Sequence, residues 1–169
     1  MDSTFVVGID VGGQTSKIGV VDARGAVLAQ TVIRTDTYDK VEPYIAELAE
    51  AVKKVIKESG TEGKVRGIGV GAPNANYYTG NIENAVNLSW GSEVVEFSKL
   101  LSEAMGGLPV ALTNDANAAA VGEMTYGAAR GMKNFIVITL GTGVGSGIVI
   151  NGSVVYGHDG FAGELGHVT

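Results

Sequence analysis

The sequence predicts an α/β domain with a mixed sheet, and three observations support that class. Strand-like and helix-like segments follow one another in the order β-β-β-α-β-α-β-α-β-β, which is typical of α/β proteins. Of the 169 residues, 45% are hydrophobic, an ordinary share for a globular chain with a core. The 26 glycines cluster at turns between the strand-like runs and have no fixed period.

The first half of the chain predicts a three-stranded meander, a helix and a fourth strand. The meander is expected from three buried strand patterns, at 4–10, 16–22 and 26–34. Pro43 suits the first turn of the helix, and Gly60 suits its C-terminal cap. Apolar residues at helical spacing lie between them: Ile45, Leu48, Val52, Val55 and Ile56. A buried strand at 65–73 comes next.

The second half begins with an irregular segment. Residues 74–92 have no periodicity, and irregular segments of that length are often functional. A helix is predicted at 93–105, with Ser92 as its N-cap and Val94 on its inner face. The remaining elements are a strand at 109–113, a small-residue helix at 114–130, and strands at 134–140 and 147–156 that contain the hairpin turn Asn151-Gly152.

Charge and composition argue against several classes of function. The net charge is −6 and no block of Lys and Arg occurs, so the electrostatic footprint of nucleic-acid binding is missing. The chain has no cysteine, which excludes disulfides and thiolate metal sites within it. No secretory signal opens the sequence, and no apolar run approaches the ~18 residues of a membrane span. These features predict a cytoplasmic protein that binds neither nucleic acid nor membrane.

One supersecondary unit occurs twice in the sequence. IDVGGQTSKIGVVD (9–22) and ITLGTGVGSGIVIN (138–151) each contain a strand, a glycine loop and a second strand. Backbone N–H groups in tight glycine turns form concave anion sites. Neither loop matches a P-loop, and a strand rather than a helix follows each, unlike a dinucleotide fingerprint. The two loops are therefore predicted to face each other across a phosphate-binding cleft; the alternative is that the glycines only form turns or bulges.

A series of motifs resembles the ROK family (repressor, open reading frame, kinase) of bacterial sugar kinases. In chain order they are GIDVGGQT, GVVD, GIGVGAPN, NAVNLSW, TNDANAAAVGE, LGTGVGSGIVING and GFAGELGH, within residues 6–167. The resemblance implies the actin–hexokinase–Hsp70 ATPase fold, in which a ribonuclease H-like domain with a mixed sheet precedes a second similar domain. It also implies a small N-terminal domain at 1–114, then a linking helix and an incomplete second domain at 115–169.

The resemblance implies ATP-dependent phosphorylation of a hexose hydroxyl, of glucokinase type with a sugar 6-phosphate as product. The motifs leave the sugar open among glucose, N-acetylglucosamine, N-acetylmannosamine, mannose and fructose, and leave polyphosphate open as donor. Two other functions remain: a ROK-type sugar-responsive transcriptional regulator and a non-catalytic sugar-binding module. The strand that begins by Phe5 leaves no room for a preceding helix-turn-helix, which favours the kinase.

The candidate general base is Asp115, which directly follows the predicted strand 109–113. A carboxylate at a helix N-terminus is favoured by the helix dipole and so is kept ready to accept a proton. Asn114 or Asp115 would equally suit a structural N-cap, and the match of TNDANAAAVGE to the family's catalytic segment favours the base.

The sugar-binding candidates are polar side chains that can bridge neutral hydroxyls. The main ones are Asn114, Glu164 and His167, and the resemblance implies that the Glu-x-x-His pair holds ring hydroxyls. Asn87 is a weaker candidate whose alternative role is to stabilise its loop. The backbone at Gly71 and Ala72 is expected to line the pocket, and Trp90 is assigned to the core.

The phosphate-binding candidates lie in the two glycine loops: Gly12, Gly13, Gln14, Thr15, Gly141, Thr142 and Gly143. The resemblance implies that Asp10 faces Mg²⁺ through water. Gln14 departs from the family, which usually has Thr there, so the hydroxyl contact is assigned to Thr15 or to the backbone alone.

The resemblance covers only the first part of a longer protein, and we expect the chain to be a fragment with little kinase activity by itself. In the resembled family, the histidine that matches His167 also binds a structural zinc with downstream cysteines. Because this chain has no cysteine, Zn²⁺ is expected only in a full-length protein, where a homodimer is also expected.

Overall fold

The computed structural model describes residues 4–140 and 144–165, in which groups of strands are separated by helices. In chain order they are β1 (Phe5–Val11), β2 (Thr15–Asp22), β3 (Val27–Arg34), α1 (Val41–Glu58), β4 (Val65–Gly71), β5 (Ile82–Glu83), β6 (Val94–Val95), α2 (Phe97–Ala104), β7 (Val110–Thr113), α3 (Asp115–Tyr126), β8 (Phe135–Leu140), β9 (Val144–Ile150) and β10 (Ser153–Val154).

The first sheet is mixed, with the strand order β3-β2-β1-β4-β7. β1, β2 and β3 form the antiparallel meander, and β4 and β7 continue the sheet in parallel with β1. The register pairs Asp10 with Gly71 and Gly71 with Thr113. The carboxyl ends of three neighbouring strands therefore meet at one edge of the sheet, where ligands commonly bind in open α/β folds.

The core lies on the sheet face that α1 and α2 cover. β1 and β2 alternate buried and more exposed residues, and the buried ones pack with the apolar face of α1. Tyr44 stacks on Trp90 with ring centroids 4.7 Å apart, and Phe97 lies beside both rings, at 6.0 Å from Trp90 and 6.4 Å from Tyr44. Trp90 is only 5% exposed, so its assignment to the core is confirmed.

Helix α3 joins the first sheet to the second, which has the strand order β10-β9-β8. Its first turn lies against the end of β4, and Tyr126 at its far end contacts Gly25 in the turn between β2 and β3. Between α3 and the open face of the first sheet runs a groove of about 1010 Å³. The predicted division at residues 114 and 115 falls where α3 begins, and its status as a domain boundary stays a prediction.

Three sequence-based boundaries were wrong, and the first is the end of the helix predicted at 114–130, which stops at Tyr126. The helix predicted at 93–105 with Ser92 as N-cap begins at Phe97, because Val94–Val95 instead pair as β6 with Ile82–Glu83. Val94 is 58% exposed, although its spacing from Phe97 fits a helix face. The strand predicted at 147–156 begins earlier, at Val144, and is divided by the Asn151-Gly152 turn. Among the helices of the described residues, none combines the length and apolarity needed to cross a bilayer.

Candidate active site

A cavity of about 330 Å³ lies at the carboxyl edge of the first sheet. Asp10 and Gly71 reach it from the ends of β1 and β4, Asp115 from the start of α3, and Thr139 from β8. The register described above brings the first two together, and the chain reversal after β7 adds the third. The cavity therefore lies between the two sheets and has two carboxylates in its wall.

The start of α3 separates the capping role from the candidate catalytic role. Asn114 is the N-cap, and its Oδ1 accepts a hydrogen bond from the Asn117 N–H at 2.6 Å. Asp115 is the first residue of the helix; its side chain is exposed to the cavity, and its Oδ1 accepts from the Ala116 N–H at 3.0 Å. The capping role thus belongs to Asn114, and Asp115 lies in the wall of the cavity.

Two carboxylates and one lysine set the electrostatics of this edge. Partial burial of the carboxyl raises the pKa of Asp10, and the negative charge of Asp115 raises it further. Lys17, which pairs with Asp10 across β1 and β2, opposes that rise. The two carboxylates repel each other when no ligand is bound, so binding of a cation or of hydroxyl donors at this cavity would be favourable.

Asn114 also connects the helix start to the candidate sugar-binding loop. Its Nδ2 donates to Glu164 Oε1 at 3.3 Å, so two of the predicted sugar-binding side chains lie within reach of one ligand. Asn87 is exposed, and Gly71 is buried against the Asp115 backbone. His167 lies outside the described residues. The sugar-binding role of each residue stays a prediction.

The first glycine loop is a tight turn at the head of β1 and β2. The Gly12 N–H donates to the Thr15 carbonyl at 3.0 Å, and the Gln14 carbonyl accepts from the Thr35 N–H at 2.8 Å. A Cβ at Gly13 would lie 2.8 Å from the Asn87 carbonyl oxygen. Glycine there lets the neighbouring backbone approach the turn, and the cradling of phosphate by this loop stays a prediction.

A buried hydroxyl network supports that loop from below, and sequence reasoning missed it. Ser16, the second residue of β2, is buried directly after the glycine turn. Its Oγ lies 2.7 Å from both Thr35 Oγ1 and Tyr44 OH. Burial raises the pKa of the Tyr44 phenol, which keeps its hydroxyl neutral. A Ser next to a Thr in a strand carries no sequence signal for such a network.

The second glycine loop shows another use of glycine. Gly141, Thr142 and Gly143, its predicted phosphate-binding residues, lie outside the described residues. A Cβ at Gly147, within β9, would lie 2.6 Å from the Ala116 carbonyl oxygen and 2.7 Å from Ala120 Cβ. That glycine lets α3 pack directly on the second sheet, which is a role in close packing.

Metal-binding residues are few at the described positions. No group of three or more His, Asp or Glu side chains that could hold a metal ion occurs in 4–140 and 144–165. Asp10 and Asp115 are the carboxylates at the cavity. That supply suits Mg²⁺, which commonly takes one or two carboxylates together with phosphate oxygens and water. The zinc predicted at His167 concerns a residue outside the described ranges.

The mixed sheet, the crossing helix and the second sheet define the fold of an actin-like ATPase, a class of sugar kinases and related proteins. The ROK family model matches residues 6–169, and the chain belongs to the ROK family. The predictions of the family and of the fold class are thereby confirmed.

Relatives within the family include kinases and repressors. A glucokinase of Halalkalibacterium halodurans is 41% identical over all of this chain and 51% of its own length. A Streptomyces griseus ROK glucokinase, solved in complex with glucose and AMPPNP, is 34% identical with a TM-score of 0.82, over 97% of this chain and 50% of that one. A xylose repressor of Caldicellulosiruptor bescii is 30% identical over 99% of this chain and 42% of its own. The chain therefore spans about half the length of these relatives.

Proposed function

We propose that this chain carries the catalytic base and the first part of the sugar site of an ATP-dependent hexose kinase of glucokinase type. One observation carries the proposal: Asp115 faces a cavity at the carboxyl edge of the sheet, beside Asp10 and within one residue of the Asn114–Glu164 contact. The similarity to glucokinases, one of them bound to glucose and a nucleotide analogue, supports it.

The chemistry assigned to the chain's own residues is positioning and proton acceptance. Asn114 and Glu164 offer donors and acceptors to the sugar ring, and Asp115 accepts the proton of the hydroxyl that attacks the γ-phosphoryl group. The dipole of α3 favours negative charge at its first residue, Asp115, which suits a proton acceptor. Asp10 would hold Mg²⁺ through water, and that ion supplies charge neutralisation on the phosphates.

The test compares Asp115→Asn and Asp115→Ala with the parent, in the protein as its gene encodes it. Loss of a general base lowers kcat by about 10²–10⁴, whereas sugar affinity is retained within about threefold because the binding side chains remain. Turnover is measured by coupled detection of sugar 6-phosphate, and affinity by calorimetry. Asp39→Asn, an exposed carboxyl elsewhere, is the matched control. Normal turnover in Asp115→Ala would exclude Asp115 as the base.

A sugar-responsive repressor is the second candidate, favoured by the similarity to a xylose repressor. The kinase and repressor proposals differ in a direct measurement: a repressor shifts operator DNA in a gel and turns over no ATP. A non-catalytic sugar-binding module would bind sugar without turnover in both the parent and Asp115→Ala.

The finer assignments belong to the same proposal. A panel of the five candidate sugars, with ATP and polyphosphate as donors, identifies the substrate pair. Residues 1–169 alone are expected to turn over little, since they span about half of each relative, and normal turnover by them would contradict that expectation. The homodimer and the cytoplasmic location stay predictions.

A further inference from the structure

The loop that carries Glu164 is held against the first sheet by a residue outside the candidate catalytic set. Asn76 lies in the segment after β4, and its Nδ2 donates to the Asp159 carbonyl oxygen at 3.0 Å, across 83 residues of sequence. Asp159 is five positions before Glu164 in the same loop. Asn76 therefore connects the candidate sugar-binding loop to the segment that follows β4.

The Asn76 amide is buried and its orientation is fixed by four contacts. The side chain is 6% exposed. Its Oδ1 accepts from the N–H groups of Tyr78 and Thr79 at 3.0 and 3.4 Å, and its Nδ2 lies 3.3 Å from Glu83 Oε1. An exchanged amide would place nitrogen against N–H donors and oxygen against acceptors. The donation to Asp159 is therefore the orientation that satisfies all partners.

Gly160, the loop residue next to Asp159, leaves the space that the Asn76 side chain occupies. Gly160 has φ +84°, and a Cβ there would lie 2.5 Å from Asn76 Oδ1. Only glycine permits both the backbone conformation and the approach. The contact is thus matched by sequence features on both of the segments that form it.

Stacked aromatic rings extend the same contact. Tyr77 lies on Tyr156 with ring centroids 4.1 Å apart and planes at 7°, and the edge of Tyr78 meets both rings. Tyr77 comes from the segment that holds Asn76, and Tyr156 from the loop that holds Glu164. Partial burial of Tyr156 raises its pKa, in keeping with a packed ring. We call Asn76, Tyr77, Tyr156, Asp159 and Gly160 the Asn76 clamp.

We propose that the Asn76 clamp positions the Glu164 loop for sugar binding, a proposal that rests on the kinase function above. Besides the ring stack, hydrogen bonds hold the loop: Asn76 donates to Asp159, Ser146 Oγ donates to the Gly163 carbonyl, and Asn114 donates to Glu164. The Ser146 contact comes from the second sheet, and the other two come from the side of the first sheet. The clamp therefore holds Glu164 beside Asn114, and it sets sugar affinity more than the chemical step.

The first test is Asn76→Asp combined with Glu83→Gln. Aspartate at position 76 retains the acceptors for the N–H groups of Tyr78 and Thr79, and the amide that Glu83→Gln introduces can donate to it. The donation to the Asp159 carbonyl is replaced by a contact between two acceptors, and the 3.4 Å bond that Glu83 Oε1 accepts from Thr79 Oγ1 is also affected. Hydrogen exchange of the amides at 156–165 is expected to accelerate about tenfold, the effect of one lost hydrogen bond. The amides of β1 and β4 should be unchanged. In turnover assays, the sugar KM should rise about tenfold while kcat stays within about twofold.

The second test acts from the loop side with a matched control. Gly160→Ala introduces the clash with Asn76, whereas Gly152→Ala meets nothing within 4 Å at a similar φ of +75°. Gly160→Ala should reproduce the exchange and KM effects, and Gly152→Ala should not.

Three results would overturn the proposal: unchanged exchange at 156–165 in Asn76→Asp/Glu83→Gln, equal acceleration throughout the protein, or local acceleration with an unchanged sugar KM. If the parent has no kinase activity, the exchange experiment still decides whether the clamp holds the loop, so the two proposals fail separately.

Discussion

In the hairpin of β1 and β2 the candidate functional glycines lie at the turn, whereas in that of β8 and β9 the glycines that the structure describes lie within a strand. Gly13 makes room for the Asn87 backbone, and Gly147 makes room for the backbone and side chains of α3. The two sequences align residue for residue, and Asp10 and Thr139, at equivalent positions, line the same cavity. A repeated glycine pattern therefore admits a neighbouring loop at the turn of one copy and a helix within the strand of the other, and the phosphate-binding role of the first turn stays a prediction.

The largest effect is expected where glycine meets backbone inside the fold. Gly147→Ala places a methyl group 2.6 Å from the Ala116 carbonyl oxygen, and because both belong to regular elements the strain cannot relax easily. We expect the free energy of unfolding to fall by about 3 kcal/mol, measured by urea denaturation. Gly8→Ala in β1 is the control, since its methyl group meets nothing within 4 Å, and it should change stability by less than about 0.5 kcal/mol. If the two variants were equally stable, the packing role assigned to Gly147 would be wrong.

An intermediate effect is expected at the turn of the first hairpin. Gly13→Ala meets the Asn87 carbonyl at 2.8 Å, but the segment 84–91 lacks regular structure and can shift, so about 1 kcal/mol of stability should be lost. The predicted phosphate-binding role of this turn implies that the free energy of AMPPNP binding should weaken by more than the free energy of unfolding does. Asn87→Ala keeps the carbonyl and is the control: its stability should match the parent. If Gly13→Ala lost stability without any change in nucleotide affinity, the difference between the two hairpins would disappear.

The fold could be predicted largely because its strands and helices are long and periodic. The meander, α1 and β4 were predicted to within two residues, and Asn151-Gly152 was recognised by its turn chemistry. The start of α2 could not be predicted, because the spacing of Val94 and Phe97 fits one face of a helix as well as it fits a short strand followed by a helix. Pairing with Ile82–Glu83, a tertiary contact, decides between the two.

The candidate site shows the same division. Asp10, Gly71 and Asp115 were singled out from motifs; the strand register brings the first two to one cavity, and the chain reversal after β7 adds the third. The Asn76 clamp could not be found, because Asn76 acts through a contact 83 residues away and has no motif of its own. The packing role of Gly147 was also missed, since a glycine that admits a helix and one that admits a phosphate look the same in sequence.

The smallest effect on stability concerns charge at the two equivalent positions in the cavity wall, Asp10 and Thr139. Because burial and Asp115 raise the pKa of Asp10, the folded state holds that proton more tightly than the unfolded chain does. Ionised Asp10 therefore opposes folding above its folded pKa, and this cost disappears as the pH falls below the unfolded value. Asp10→Asn should stabilise the protein near neutral pH by about a few tenths of a kcal/mol, because the carboxyl is exposed enough for solvent screening, and the gain should vanish in acid.

Two comparisons isolate the cause of that gain in urea denaturation across pH. In the Asp115→Asn background the gain from Asp10→Asn should shrink, because the repulsion between the two carboxylates is already removed. Thr139→Val changes the equivalent residue of the second hairpin without changing charge, so its effect on stability should not depend on pH. A gain from Asp10→Asn that persisted undiminished in acid would show that packing, and not charge, distinguishes the two positions.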